Sequence, residues 1–153
     1  MAELPIIDVI IPAYNEGNSI GLVVEEIPKS LVRNVIVANN NSTDNTGQVA
    51  AEHGAVVVFQ LEPGYGNACL KAMEHIVELN EKPEIVVFLD GDYSDYPEQL
   101  PDLVQPIIDD KADLVIGSRA LGQSESGSLT PQQVFGNWLA TRMLKLFLSL
   151  IHI

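Results

Sequence analysis

Asp90 and Asp92 stand one residue apart with Gly91 between them, directly after the apolar run Val86-Val87-Phe88-Leu89. Carboxylates so spaced at the end of a buried strand can reach the same side of its exit turn, and the glycine lets the backbone come close to a ligand. A hard cation such as Mg²⁺ or Mn²⁺ suits the pair, because it takes one or two carboxylates and fills its other positions with water and phosphate oxygens. There it would neutralise a diphosphate leaving group, as Lewis-acid assistance where negative charge develops. Two plainer readings stay open: the tripeptide arises by chance in an acidic chain, or its aspartates cap the next turn. Asp95 and Glu98, around Tyr96-Pro97, fit the start of the following helix, where negative charge is favoured.

Other polar segments follow apolar runs in the same way. In Pro12-Ala13-Tyr14-Asn15-Glu16, Tyr14 can pack on a nucleoside while Glu16 and the helix amides bond to ribose or base; the alternative is a turn with a helix-start glutamate. Asn39-Asn40-Asn41-Ser42-Thr43-Asp44 can read base edges or cap a helix. Ser42 and Thr43 are expected as caps, and Asn39 and Asn41 as candidates for contact. Gly64-Tyr65-Gly66 permits a tight turn, and the helix start at Gly66 can approach phosphate or sugar; with Cys69 in the third glycine's place it is no dinucleotide fingerprint. Arg119, in Gly117-Ser118-Arg119, is a phosphate contact or a surface ion pair. His53 and His75 lack metal-ligand spacing and are expected at the surface or in packing.

The elements that must position these residues alternate. Residues 6–11, 35–38, 56–59, 85–89 and 114–116 are short and almost wholly apolar, as strands covered on both faces of a parallel sheet are. Helical patterns occupy residues 19–27, 43–53, 67–79 and 97–109. Asn18 or Ser19 is expected to cap the first, Ser42 or Thr43 the second, and Pro97 to open the fourth. This order implies an α/β fold, a doubly wound, mainly parallel sheet flanked by helices, with ligands beyond the carboxyl ends of the strands. Residues 121–133 turn to Gly, Ser, Thr and Gln, a surface loop, and residues 134–147 carry an amphipathic helical pattern.

Composition narrows the partners. A chain of 153 residues that is 46% hydrophobic can bury one core. Its 8 basic and 21 acidic residues, a formal charge of -13, oppose binding to nucleic acid. A divalent cation still lets an acidic protein hold an anionic nucleotide. The lone Cys69 excludes an internal disulfide, is expected as a small buried hydrophobe and fits a reducing compartment. Neither a signal-peptide pattern nor a run of the roughly 18 apolar residues that a spanning helix needs is evident, so a cytoplasmic location is expected.

Taken together, IIPAYNE, NNNSTDNT, VVFLDGDYSDYPE and VIGSR resemble glycosyltransferase family 2, with its GT-A fold, over nearly all of residues 6–147. DGDYSDYPE and GSR resemble most its dolichyl-phosphate mannose synthase and polyprenyl-phosphate glycosyltransferase branch, which builds cell-envelope glycans. The resemblance implies a UDP- or GDP-linked sugar donor held by Pro12, Ala13, Tyr14, Glu16 and Asn39, with Asp90 and Asp92 on Mg²⁺ or Mn²⁺ and diphosphate. It also implies that Arg119 touches phosphate or acceptor, and that the sugar is transferred with inversion, by direct displacement, to an acceptor such as a polyprenyl phosphate. Two positions depart from the family: Asn39 stands where aspartate is common, which opens the base preference, and Ser94 where the lipid-phosphate branch often has a metal-binding glutamine.

A single donor-binding domain is expected over residues 1–147, incomplete at its carboxyl end, with any catalytic base for a hydroxyl acceptor further downstream. Residues 148–153, Leu-Ser-Leu-Ile-His-Ile, are what CTG-TCT-CTT-ATA-CAC-ATC, a transposon end used in sequencing libraries, encodes, and are expected to be non-native. Residues 134–147 either pack against further parts of the domain or lie on a membrane with Arg142 and Lys145 at the headgroups, peripheral to its inner face. Two other functions are consistent with the same residues. One is a non-catalytic sugar-nucleotide-binding domain; the other is a phosphohydrolase with Asp90 as nucleophile, although such aspartates normally follow the opening strand.

Overall fold

The fold is that of a computed structural model, which describes residues 4–117. Arg119, the 121–133 loop, the 134–147 helical pattern and the 148–153 tail lie outside the described residues. Residues through Val115 form one compact unit, and a second begins at Ile116.

The first unit alternates strand and helix: β1 (Ile7–Ala13), α1 (Ile20–Glu26), β2 (Asn34–Asn39), α2 (Thr46–Glu52), β3 (Val56–Phe59), α3 (Tyr65–Glu78) and β4 (Ile85–Phe88). A 3-10 turn, Pro97–Gln99, then leads into α4 (Leu100–Ile108). The four strands are parallel and ordered β3-β2-β1-β4. The winding therefore reverses between β1 and β4, and a crevice opens at such a switch point.

Strand periodicity sorts the core into two layers. Ile7, Val9, Ile11 and Ala13 of β1 face one side and pack with Ile20, Val23, Val24 and Ile27, which recur at helical spacing along α1 and its end, with Ala50 of α2 and with Leu100 and Val104 of α4. Ile10 faces the other side, where Ile36 and Ala38 of β2 meet Ala68, Ala72 and Ile76 of α3. Alanines four residues apart let α3 approach the sheet closely. Each fully buried Ile or Val stabilises the fold by about 1.5–3 kcal/mol, so β1, buried at every position, is the strand on which the unit depends most.

Several boundaries differ from the sequence expectation. β1 does not stop at Ile11 but runs through Pro12 and Ala13. Pro12 is tolerated because the ladder to β4 ends where Leu89 N donates to Ile10 O, so the missing N–H two residues on faces the point where β4 has diverged. Pro97 opens a separate 3-10 turn, and α4 starts at Leu100, followed by Pro101. β3, an edge strand, and the end of β4 are partly exposed and not covered on both faces. The expected fifth strand, residues 114–116, is absent from the sheet: it pairs with no strand among the described residues and Leu114 is 76% exposed. An apolar β-branched run is a strand only when a ladder partner is present.

Candidate functional site

Each strand exit turns through one residue with positive φ: Asn15 (57°) after β1, Asn41 (59°) after β2, Gly64 (134°) after β3 and Tyr93 (61°) after β4. Asparagine and glycine enter this region readily, whereas a tyrosine there costs of order 1–3 kcal/mol and has to be held. Tyr93 is anchored by its hydroxyl, which donates to Glu26 at the end of α1. That bond pushes the phenol above its usual range.

The first two exits are laced together. Asn15 N–H donates to Ser42 Oγ at 3.0 Å, and Asn15 Oδ1 accepts from Thr43 N at 2.8 Å. Glu16 N–H donates to Thr46 Oγ1 at 2.9 Å and Gly17 N–H to Asp44 Oδ2 at 3.0 Å, while Asp44 Oδ1 accepts from Thr46 N and its hydroxyl. These bonds, led by that from Thr46, hold the Asp44 carboxyl below the usual carboxylate range. Ser42 and Thr43 thus join loops where caps were expected; Asn45 precedes α2 and makes no side-chain cap bond. Ser19 behaves likewise. It precedes α1 without capping it, and its Oγ lies 2.8 Å from Gly91 O and 2.9 Å from Glu16 Oε2, its one proton serving either.

The three asparagines after β2 do different things. Asn40 is saturated, with Nδ2 donating to Gln60 O (3.2 Å) and Glu62 O (2.7 Å) and Oδ1 accepting from Gly64 N (2.8 Å), which pins the approach to α3. Asn39 is buried, and its Oδ1 accepts from Ser42 N at 3.0 Å. Asn41 is exposed.

Asp90 and Asp92 are both exposed at the exit of β4, beside the switch point. Tyr65, the first residue of α3, reaches Asp90 Oδ1 with its hydroxyl at 3.4 Å, and Asp92 Oδ1 accepts from Ser94 N at 2.9 Å. Burial, and then the Asp90 charge, push the Tyr65 phenol up. Gly91 is buried, and a Cβ on it would meet Ile11 and Ala13 of β1 and Ile20 of α1 at 3.4–3.6 Å. Its side therefore packs on the core, and the two carboxylates flank that anchor. Tyr65 was not singled out in the sequence, where only the glycines around it marked the turn.

Of the other candidates, Pro12 and Ala13 are buried strand residues, which leaves mainly their backbone to meet a ligand. Tyr14 is exposed and Glu16 half-buried at the same exit, and a Cβ on Gly66 would meet nothing within 4 Å. Cys69 is half-buried where full burial was expected, and burial pushes its thiol up, away from nucleophilic thiolate. His53 bonds Val49 O through Nδ1 at 2.8 Å, and its ring lies where a Cβ on Gly21 would stand, a packing role between α2 and α1.

Among the described residues no three His, Cys, Asp or Glu side chains gather into a metal cage. Two exposed carboxylates fit a cation that shares its coordination with phosphate and water, as Mg²⁺ and Mn²⁺ do. No helix among the described residues is long and apolar enough to cross a membrane.

The sequence profile of glycosyl transferase family 2 matches residues 8–152. This chain belongs to glycosyltransferase family 2. Its sheet and helices are the GT-A fold of solved members. Glucosyl-3-phosphoglycerate synthase from Mycobacterium tuberculosis, solved with Mn²⁺, UDP and phosphoglyceric acid, is 32% identical with a TM-score of 0.59, over 68% of this chain and 39% of that one. The low-salt glycan biosynthesis hexosyltransferase Agl6 of Haloferax volcanii is 32% identical over 148 residues, 94% of this chain and 35% of the relative. The UDP-N-acetylglucosamine–dolichyl-phosphate N-acetylglucosaminyltransferase of Methanococcus voltae is 28% identical over 150 residues, 86% of this chain and 59% of the relative. The chain thus spans only part of the length of the relatives it matches.

Proposed function

We propose that the chain is the donor-binding part of a metal-dependent, inverting glycosyltransferase that passes a sugar from a nucleoside diphosphate to a polyprenyl phosphate. The observation that carries this reading is the placement of Asp90 and Asp92 beside the β1–β4 switch point, on a turn tied through Ser19 to the Glu16 loop. Asp90 and Asp92 would hold Mg²⁺ or Mn²⁺ against the diphosphate. When bound, that cation supplies charge neutralisation to the departing group. Tyr14 offers an exposed ring to the nucleoside, Glu16 and Asn41 offer polar contacts, and the open first turn of α3 at Gly66 offers amides to phosphate or sugar. Arg119 is assigned to phosphate or acceptor.

The Mn²⁺ and UDP bound to the mycobacterial relative support UDP as the first nucleotide to try, with GDP the alternative. The dolichyl phosphate named for the Methanococcus voltae enzyme supports a lipid phosphate acceptor. Such an acceptor is already an anion and needs no strong base, whereas a hydroxyl acceptor would need one. The reading places the protein on the cytoplasmic side, peripheral to the membrane that carries the acceptor.

Calorimetry with UDP- and GDP-linked sugars and Mn²⁺ tests the donor half: one nucleotide series is expected to bind, and silence across both contradicts the proposal. Metal-dependent binding without transfer or donor hydrolysis by the full-length protein would instead make this a non-catalytic sugar-nucleotide-binding domain.

A further inference from the structure

The stretch from Leu89 to Tyr93 is anchored unevenly around its two aspartates. Leu89 N–H donates to Ile10 O at 3.0 Å, which ties the residue before Asp90 to the sheet. Gly91 is fixed in turn: it is buried, its bare side meets Ile11, Ala13 and Ile20, and Ser19 Oγ at the start of α1 lies 2.8 Å from Gly91 O. Asp90 therefore stands between two anchored neighbours. Asp92 has Gly91 on one side only; on the other is Tyr93, whose φ of 61° is a conformation that tyrosine rarely adopts. The orientation of the Asp92 carboxylate depends on that conformation, because Oδ1 accepts from Ser94 N–H at 2.9 Å across Tyr93. The tether on Tyr93 comes from far along the chain. Its hydroxyl donates to Glu26 Oε1, on the last residue of α1, so that one helix grips the turn from both of its ends.

Resting on the metal-bridged donor reading above, we propose that Tyr93 and Glu26 are positioning residues for Asp92, which aim its carboxylate at the cation without touching cation or donor. A tyrosine released from its tether relaxes to negative φ, Ser94 N–H moves out of line with Oδ1, and the carboxylate turns with the backbone. The bond to the Glu26 carboxylate offsets that tendency. An asparagine, by contrast, enters the left-handed region without help. The turn thus needs the hydroxyl more than the ring, and needs it only while the residue is one that resists positive φ.

The test is calorimetry of UDP and GDP with Mn²⁺ on the full chain and on Tyr93→Phe, Glu26→Ala, their double variant and Tyr93→Asn. Tyr93→Phe and Glu26→Ala are each expected to weaken Mn²⁺-dependent binding by about tenfold, and the double variant by no more than either alone, since both remove the same bond. Tyr93→Asn cannot reach Glu26, yet it is expected to recover most of the affinity that Tyr93→Phe loses. Both side chains are exposed, so the urea midpoint should stay at its wild-type value throughout. Unchanged affinity in either single variant, additive losses in the double variant, a Tyr93→Asn as weak as Tyr93→Phe, or losses that track a falling midpoint would each overturn the inference and leave the donor reading intact. Failure of both nucleotides to bind the wild-type chain with Mn²⁺ would overturn both.

Discussion

The two ends of one sheet carry aspartates in opposite conditions. At the amino end, Asp8 of β1 is 0% exposed and its carboxylate is saturated, by Arg33 Nε at 3.0 Å, Arg33 Nη2 at 2.6 Å and Asn34 N–H at 3.2 Å. Arg33 also donates to Glu81 O at 3.0 Å, so the pair ties β1, β2 and the approach to β4 together. At the carboxyl end Asp90 and Asp92 stand exposed on a turn, one beside a tyrosine hydroxyl at 3.4 Å and the other closing a turn through Ser94 N–H. Residue type does not separate these roles. Burial and geometry do: a carboxylate enclosed by a fork of donors holds the fold, and exposed carboxylates on a strand exit at a switch point remain within reach of a ligand.

Arg33→Ala should break the first half of the comparison most severely. It leaves Asp8 charged and buried with one backbone donor, at a cost of about 3 kcal/mol, the low end for such pairs because the Arg33 side chain is 29% exposed. Urea denaturation should show a lower midpoint at unchanged slope, and the folded fraction should bind nucleotide as before. A stability change within about 0.5 kcal/mol would put Asp8 among ordinary surface carboxylates.

Asp44→Asn sharpens the other end with a smaller effect. The amide still accepts from Thr46 N–H but presents a donor where Gly17 N–H now donates, so exchange at the Gly17 amide should speed up several-fold while the global midpoint barely moves. Because the folded Asp44 carboxyl lies below its usual value, its contribution is complete above the ordinary carboxylate range and is lost as pH falls through the lowered value. Loop protection in the wild type should therefore fade under acid before the sheet does, and the variant should lack that acid step.

The order of strands and helices was legible because buried parallel strands are short apolar runs and helices carry their own period. The Asp90-Gly91-Asp92 turn was legible for the same reason, since it follows such a run directly. Residues 114–116 misled because the pattern records apolarity and not the ladder partner a strand requires. Pro12 misled because its cost depends on which side of β1 its missing N–H faces, and that depends on where β4 diverges. The lacing of Asn15 to Ser42 and Thr43, 27 and 28 positions apart, was not legible, since local pattern offers those hydroxyls to their own helix start. Nor could three consecutive asparagines be told apart before their neighbours were in place.

Donor binding by the carboxyl-end aspartates through a divalent cation, as proposed, is tested by titrating nucleoside diphosphate sugar with Mn²⁺, with chelator, and with Mn²⁺ on Asp92→Asn. Binding is expected in the first case, loss in chelator, and in the variant a fall in affinity of about a hundredfold with no remaining metal dependence. Equal affinity with chelator, or in Asp92→Asn, would contradict it.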